Sequence, residues 1–344
     1  MRVAMLAPIS WRVPPRAYGP WERFVALLTD GLVAAGIDVT LFATADSQTS
    51  ATLVPTAPRS YSEDPSLDAK VEECLHIATA FERAGEFDLI HNSFDFLPLT
   101  YAGLTDTPVV TTVHGFSSER IVKVYERYDS RTWYVAISDA DRHPRLHYAA
   151  TVHHGIDIEH LAWTERPGDH LLFFGRIHPD KGAAEAIAVA RAAGLPLHIA
   201  GIVQDRDYFD RCVAPHVDGT RVRWLGAVDA EQRAHVLGGA RALLHLIDFE
   251  EPFGLSVVEA MACGTPVVAH RRGAMPEVID EGLTGFLVDG PDQAVAAMKS
   301  VADLDRRMIR RTAEQRFDRA TMVERYIEVY QRILTGAVPP LSDG

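Results

Sequence analysis

Apolar residues come in short bursts, separated by longer stretches in which they recur at helical spacing. The first burst is residues 3–8. The Pro- and Gly-rich loop SWRVPPRAYGP follows, and then residues 21–36 carry apolar side chains at helical intervals. Further bursts lie at 39–43, 88–91, 109–113 and 133–137. The pattern restarts at 170–174, with a helix predicted over 183–193, strands over 197–200, 222–225 and 242–247, and a helix over 255–262. Strands over 266–269 and 286–288 close the series. Uninterrupted apolar runs of this length read as strands of a parallel sheet, because both faces of such a sheet are covered. Their alternation with helices predicts right-handed βαβ crossovers. Residues 315–334 are predicted to form one amphipathic helix.

Two such series predict two doubly wound α/β domains, residues 1–157 and 158–314, with a helix at about 315–335 packing back on the first. Pro, Gly and charge concentrate near residues 157–169, which reads as the linker. A chain of 344 residues suits two domains of roughly 150 residues each. Ligands of doubly wound sheets sit outside the carboxyl ends of the strands. Candidate chemistry is therefore sought just after strands.

Composition narrows the classes of partner. The formal net charge of −13 argues against nucleic acid or an anionic membrane surface as the main partner, since both call for a basic excess, while leaving room for a local basic cleft that holds a diphosphate. The three cysteines, Cys74, Cys212 and Cys263, have neither metal-ligand nor disulfide spacing and read as reduced thiols of a cytoplasmic protein. The first residues lack a charged leader and a small-residue cleavage site. No stretch approaches the roughly 20 apolar residues of a bilayer span, so no integral membrane segment is expected.

The most informative segment is EPFGLSVVEAMACGTPVVA, which begins at Glu251. Gly254 precedes a helix whose first N–H groups are unpaired and point at an anion. A diphosphate fits over Phe253, Gly254, Leu255 and Ser256. Glu251 lies just before the helix, within reach of a neighbouring sugar. Glu259, inside the helix, suits two ribose hydroxyls. In FFGRIHPDKG, Arg176 follows a strand and Lys181 precedes a helix. Two fixed cations stabilise the charge that develops on a departing diphosphate, the arginine as a fork and the lysine as a point charge. Lysine is scarce here: only Lys70, Lys123, Lys181 and Lys299 occur.

The segment from Glu251 resembles the E-x7-E block of the retaining glycosyltransferases of family 4. The resemblance continues through Gly273, Pro276, Glu277 and GLTGFLVDG. It implies the GT-B fold, two facing Rossmann-like domains with parallel sheets and a cleft between them. It also implies that Glu251 contacts the donor sugar, Glu259 the ribose, and Arg176 with Lys181 the diphosphate. His114, in TTVHGF, matches the family's histidine beside the donor sugar, and Val228 a position whose backbone holds the base. The first βα loop departs from the family: Tyr18-Gly19-Pro20 stands where two glycines are usual, so Gly19 alone is left to permit close approach. Gly155 is preceded by His154 where Asn is more common, and Ser138 also matches the family. The whole chain further resembles short actinobacterial members, including those of oligosaccharide-antibiotic pathways such as avilamycin.

The reaction this implies transfers a sugar, with retention, from a nucleoside-diphosphate sugar (UDP or GDP) to a hydroxyl of a small-molecule or oligosaccharide acceptor. Neither a cofactor nor a metal is expected, since no DxD-type pair follows a suitable strand. The donor would bind the second domain and the acceptor the first. Two rivals differ in kind. A nucleotide-sugar 2-epimerase would form product without an acceptor, and a non-catalytic nucleotide-sugar-binding protein would tolerate loss of Glu251 or His114.

Overall fold

The computed structural model describes residues 1–16, 19–116 and 118–337. Tyr18, in the first loop, lies outside the described residues. The chain divides into two compact units, one of Met1–Gly155 together with the chain from Arg319 onward, the other Ile156–Asp318. The changeover thus falls at Gly155 and Ile156, just before the predicted 157–169 linker.

The first unit is built on a seven-stranded sheet of β1 (Arg2–Leu6), β2 (Asp38–Thr44), β3 (Thr52–Ala57), β4 (Leu89–Asn92), β5 (Val109–Val113), β6 (Trp133–Ala136) and β7 (Tyr148–Thr151). The spatial order is β3-β2-β1-β4-β5-β6-β7, and every pairing is parallel. The central strands are the predicted apolar bursts. Both edge strands escaped prediction. Thr52–Ala57 is largely half-buried and carries Pro55, which an edge strand tolerates because one side of its backbone has no partner. Tyr148–Thr151 is half-buried throughout.

Helix α1 (Pro20–Ala34) covers one face with its apolar stripe, Phe24, Val25, Leu28 and Leu32. Pro20 at its first position loses only an N–H that the helix would not use. The opposite face is covered by α2 (Ala69–Glu82), which buries Ile77 and Ala80. A short helix, α3 (Val122–Arg127), follows β5.

The second unit has a six-stranded parallel sheet of β8 (Leu171–Phe174), β9 (Leu197–Ala200), β10 (Val222–Gly226), β11 (Ala242–His245), β12 (Val267–His270) and β13 (Gly285–Val288). Its order is β10-β9-β8-β11-β12-β13. The helices between strands include α4 (Ala183–Ala192), α5 (Ala230–Gly238) and α6 (Leu255–Ala262), and α7 (Pro291–Ala297) follows the last strand.

The predicted helix over 315–334 is instead two. Helix α8 (Arg306–Phe317) ends at Asp318, whose backbone is extended (φ −66°, ψ 145°), and α9 (Arg319–Leu334) begins at once. The break lets α8 pack on α6 in the second unit while α9 packs on α1 in the first. Met322, Tyr326 and Tyr330 of α9 join the core around Phe24. Among the described residues, no helix is long and apolar enough to cross a membrane.

Candidate functional site

In each sheet the strand order reverses at one place, β1/β4 in the first unit and β8/β11 in the second. A crevice opens there because successive crossovers leave in opposite directions. In the second unit Arg176 and Lys181 follow β8, and Glu251 follows β11. The sequence thus delivers both candidate cations and the candidate acid to the same crevice.

Two backbone contacts bring them together. The turn Pro179–Lys181 is held to the segment after β11 by a hydrogen bond from Asp248 N–H to the Asp180 carbonyl, at 2.8 Å. Gly182, which ends the turn, has φ 76°, and a β-carbon there would lie 1.8 Å from the Leu246 carbonyl oxygen. Only glycine allows that approach. On the other side, Ala274 N–H donates to the Glu251 carbonyl (2.8 Å), and Gly273 N–H to the Glu250 carboxylate (2.5 Å). Glu251 is therefore clamped through its own main chain.

Its carboxylate accepts a hydrogen bond from Lys181 Nζ at 3.0 Å, and His245 Nε2 lies 3.5 Å away. All three side chains are largely withdrawn from solvent. Burial by itself would push the Glu251 carboxyl up. His245 and the Lys181 ammonium outweigh it and bring it down to about 2. Glu251 is a fixed anion at any physiological pH. The Lys181 ammonium also sits 4.3 Å from the centre of the Phe249 ring. Arg176 lies beside this pair in sequence but not in contact: its guanidinium donates to Gln204 Oε1 and is 3.9 Å from Asp180.

Helix α6 opens at Gly254, whose φ of 90° is left-handed. A β-carbon at that position would meet the Met275 side chain at 2.6 Å. The first intrahelical donor is Val257, to the Gly254 carbonyl, which leaves the N–H groups of Leu255 and Ser256 at the helix's open end. Phe253 leads into this open end. Its side chain is buried edge-on against Phe317, at 5.8 Å between ring centres, so it anchors the loop and only its backbone can face a ligand.

Glu259 is inside α6 and buried. Both of its oxygens accept hydrogen bonds from Arg233 Nη1, at 2.8 and 2.9 Å. Arg233, on α5, was not singled out in the sequence, and neither was His245. Arg233 sits just beyond the β10–α5 loop that holds the half-buried Val228, and its guanidinium lies 5.6 Å from the Phe174 ring centre.

Gly19 and His114 belong to the first unit. Gly19 caps α1 with φ 149°. His114, just after β5, is sandwiched between the rings of Trp21 and His154, each stacked on it at 5.3 Å, with Phe24 edge-on at 4.8 Å. Both of its ring nitrogens are buried and lack a hydrogen-bond partner among the described residues. Burial, with His154 and His91 adding to it, pushes its imidazole well below the usual range, so the ring is neutral. His91 has a structural place, bonded to Tyr330 (2.5 Å) and Thr112 (2.8 Å). Ser138 caps a turn by accepting from Asp141 N–H.

Comparison with known proteins matches both halves of this arrangement. The family described as "Glycosyltransferase Family 4" matches residues 21–160, and "Glycosyl transferases group 1" matches residues 165–316. The chain is 27% identical to the glycogen synthase of Mycobacterium tuberculosis, over 99% of this chain and 97% of that protein. It is 25% identical to the phosphatidyl-myo-inositol mannosyltransferase of Mycobacterium leprae, over 97% and 98%. Among solved structures, a glycosyltransferase involved in avilamycin A biosynthesis is 26% identical with a TM-score of 0.69, covering 97% of this chain and 98% of that one. Sucrose-phosphate synthase from Thermosynechococcus elongatus shares the fold with a TM-score of 0.81 at 17% identity, over 97% and 99% of the two chains. With both halves matched, and two parallel Rossmann-like sheets each reversing order once, the chain belongs to the GT-B glycosyltransferases of the family 4 kind.

Proposed function

We propose that this glycosyltransferase transfers a sugar from a nucleoside-diphosphate sugar to an acceptor hydroxyl with retention at the anomeric carbon, without a metal, and that the acceptor is a small molecule or oligosaccharide. The observation that carries the reading is the part-buried Lys181–Glu251 pair at the β8/β11 crevice, beside the open N-terminus of α6. A fixed cation, a fixed anion and unpaired helix N–H groups at one place suit a diphosphate joined to a sugar.

In this reading the N–H groups of Leu255 and Ser256, with Lys181 and Arg176, take the diphosphate. Glu251 accepts from sugar hydroxyls and favours the positive charge that grows on the ring. Glu259 exchanges Arg233 for the two ribose hydroxyls, and the backbone at Val228 meets the base. His114, neutral and with both nitrogens unsatisfied, hydrogen-bonds the sugar, and Gly19 permits close approach of the loop. The bond from the anomeric carbon to the β-phosphate oxygen breaks through an oxocarbenium-like state. The acceptor oxygen bonds to the same face of that carbon, and its proton passes to the leaving phosphate oxygen. The products are the glycoside and the nucleoside diphosphate, and no protein base is consumed.

UDP or GDP is the expected nucleotide. Crystal structures of an Anabaena protein with UDP and with UDP-glucose, similar to this chain in fold, are consistent with a uridine donor. Thermal shift against UDP, GDP, ADP and TDP sugars identifies the base, because selective binding raises apparent stability. NMR of the product gives the anomeric configuration, and inversion would refute the stereochemistry proposed. Unchanged turnover in excess chelator is expected, and its loss would refute metal independence.

A further inference from the structure

The first unit has its own crevice where its strand order reverses, and a cavity of about 530 Å³ occupies it. Pro8, Ser10 and Trp11 line it from the loop after β1, and Phe94–Leu97 from the loop after β4. Helices α1 and α2 close it with Trp21, Glu22 and Glu73. Its size is that of a small-molecule site. Every one of these residues belongs to the first unit.

Flat aromatic faces and hydrogen-bonding oxygens make up the wall. Trp11, Trp21, Phe94 and Phe96 provide the faces. The oxygens form an ordered set. Tyr61 donates to Glu73 (2.9 Å) and is itself bonded to Ser10 (2.5 Å). Tyr125 donates to Asp95 (2.6 Å), and Trp11 N–H to Glu22 (3.2 Å). Three acidic residues, Glu22, Glu73 and Asp95, thus line one cavity, and none of its described lining side chains is basic. The guanidinium groups of the same loop are engaged elsewhere, Arg12 by the Asp46 carbonyl and Arg16 by Glu63 and Asp46. Asp95 is held at φ 112°, a conformation that non-glycine residues adopt only where surrounding structure imposes it. Trp21 connects the cavity to His114, on whose ring it stacks.

We infer that this cavity is the acceptor subsite and that it takes a polyhydroxylated ring without a phosphate. Carboxyl oxygens accept from ring hydroxyls, and the aromatic faces stack on the ring's C–H surface. A phosphate brought beside Glu73 and Asp95 meets like charge, with no basic side chain among the described lining residues to offset it. The inference deepens the transferase reading above and rests on it for what happens next to the ring, but the binding it describes is separable from donor binding.

Saturation-transfer NMR on the full chain, with the nucleoside diphosphate present, tests it. The probes are methyl α-glucoside, myo-inositol and maltose, set against glucose 6-phosphate and myo-inositol 3-phosphate. Saturation of at least one neutral ring, with at least tenfold weaker response from both phosphates, is expected. Trp11→Ala removes the neutral-ring signal, and Glu73→Lys brings the phosphates up to the neutral rings or above. Circular dichroism establishes that both variants are folded. Preferential binding of a phosphate by the native chain, no binding of any ring, or a signal that survives Trp11→Ala each overturns the inference. A chain that binds the neutral ring but no nucleotide would instead sink the donor reading and leave the cavity's assignment standing.

Discussion

Arg233 donates through one nitrogen, Nη1, to both oxygens of Glu259. A guanidinium offers five donors, and this one leaves its Nε buried without a partner among the described residues. The arrangement neutralises a buried acid without using the arginine's full bonding capacity, as suits a partner that is given up when a ligand arrives. Arg233→Ala is expected to destabilise the free protein by about 1–3 kcal/mol, the cost of leaving a buried polar group unsatisfied. Saturating nucleoside diphosphate should recover most of that loss, because ribose hydroxyls take the arginine's place. The 2′-deoxy analogue should recover much less. Equal rescue by the two nucleotides, read as thermal shifts, would show that Glu259 is not the ribose ligand.

The Lys181–Glu251 pair leads to a second expectation. Its two members touch, so their losses do not add. Glu251→Gln keeps the shape and removes the charge, and kcat is expected to fall by roughly 10²–10³ with donor binding changed by no more than a few-fold. Lys181→Met is expected to lower kcat/KM by a similar factor. The double variant should be less impaired than the product of the two factors. Steady-state kinetics over the four proteins decides this, and strictly multiplicative losses would mean that the two side chains act apart.

His114 separates stability from activity. Its imidazole is buried with both nitrogens unpartnered among the described residues, which a folded chain carries only at a cost. His114→Phe keeps a ring between Trp21 and His154 while removing the polar atoms. Stability is expected to stay within about 1 kcal/mol of the native value or to rise, while kcat falls by about 10². Denaturant midpoints and turnover measured on the same preparation test the pair of statements. A variant that remains fully active would remove His114 from the site.

Much of this was legible in the sequence wherever both faces of an element are buried. Helix Leu255–Ala262 and strands Val109–Val113 and Leu197–Ala200 lie where apolar runs predicted them. Edge strands Thr52–Ala57 and Tyr148–Thr151 were not legible, because one side of each faces solvent and the apolar signal is diluted. The tail was misread as one helix since Asp318 interrupts neither the helical spacing nor the charge pattern; only its extended backbone marks the break. In the site, motif positions such as Glu251 and Gly254 could be named from spacing. Arg233 and His245 could not, because they reach their partners only through the sheet's crossovers. The inward packing of the Phe253 side chain on Phe317 was likewise not legible, because spacing names a position in the motif and not the direction of its side chain.

The histidines of the first unit make its stability depend on pH in a direction that can be worked out. His76, His91 and His154 are buried, and burial pushes them down to about 4, 3 and 3, with His114 also well below its usual range. In the unfolded chain each titrates near 6.5. Below that pH the unfolded state binds more protons, so stability is fully present above about 6.5 and is lost as pH falls. Each histidine contributes up to about 1.4 kcal/mol per pH unit in that window. Glu22 opposes them. Burial raises its carboxyl to about 7, so between about 4.5 and 7 the folded state holds the extra proton and gains stability on acidification. Four groups outweigh one, and urea midpoints are expected to drop steeply from pH 6.5 to 4.5. Glu22→Gln removes the opposing contribution and should steepen the drop, while raising stability at pH 8. A flat profile between pH 6.5 and 4.5, or one that Glu22→Gln makes shallower, would contradict the burial of these groups in solution.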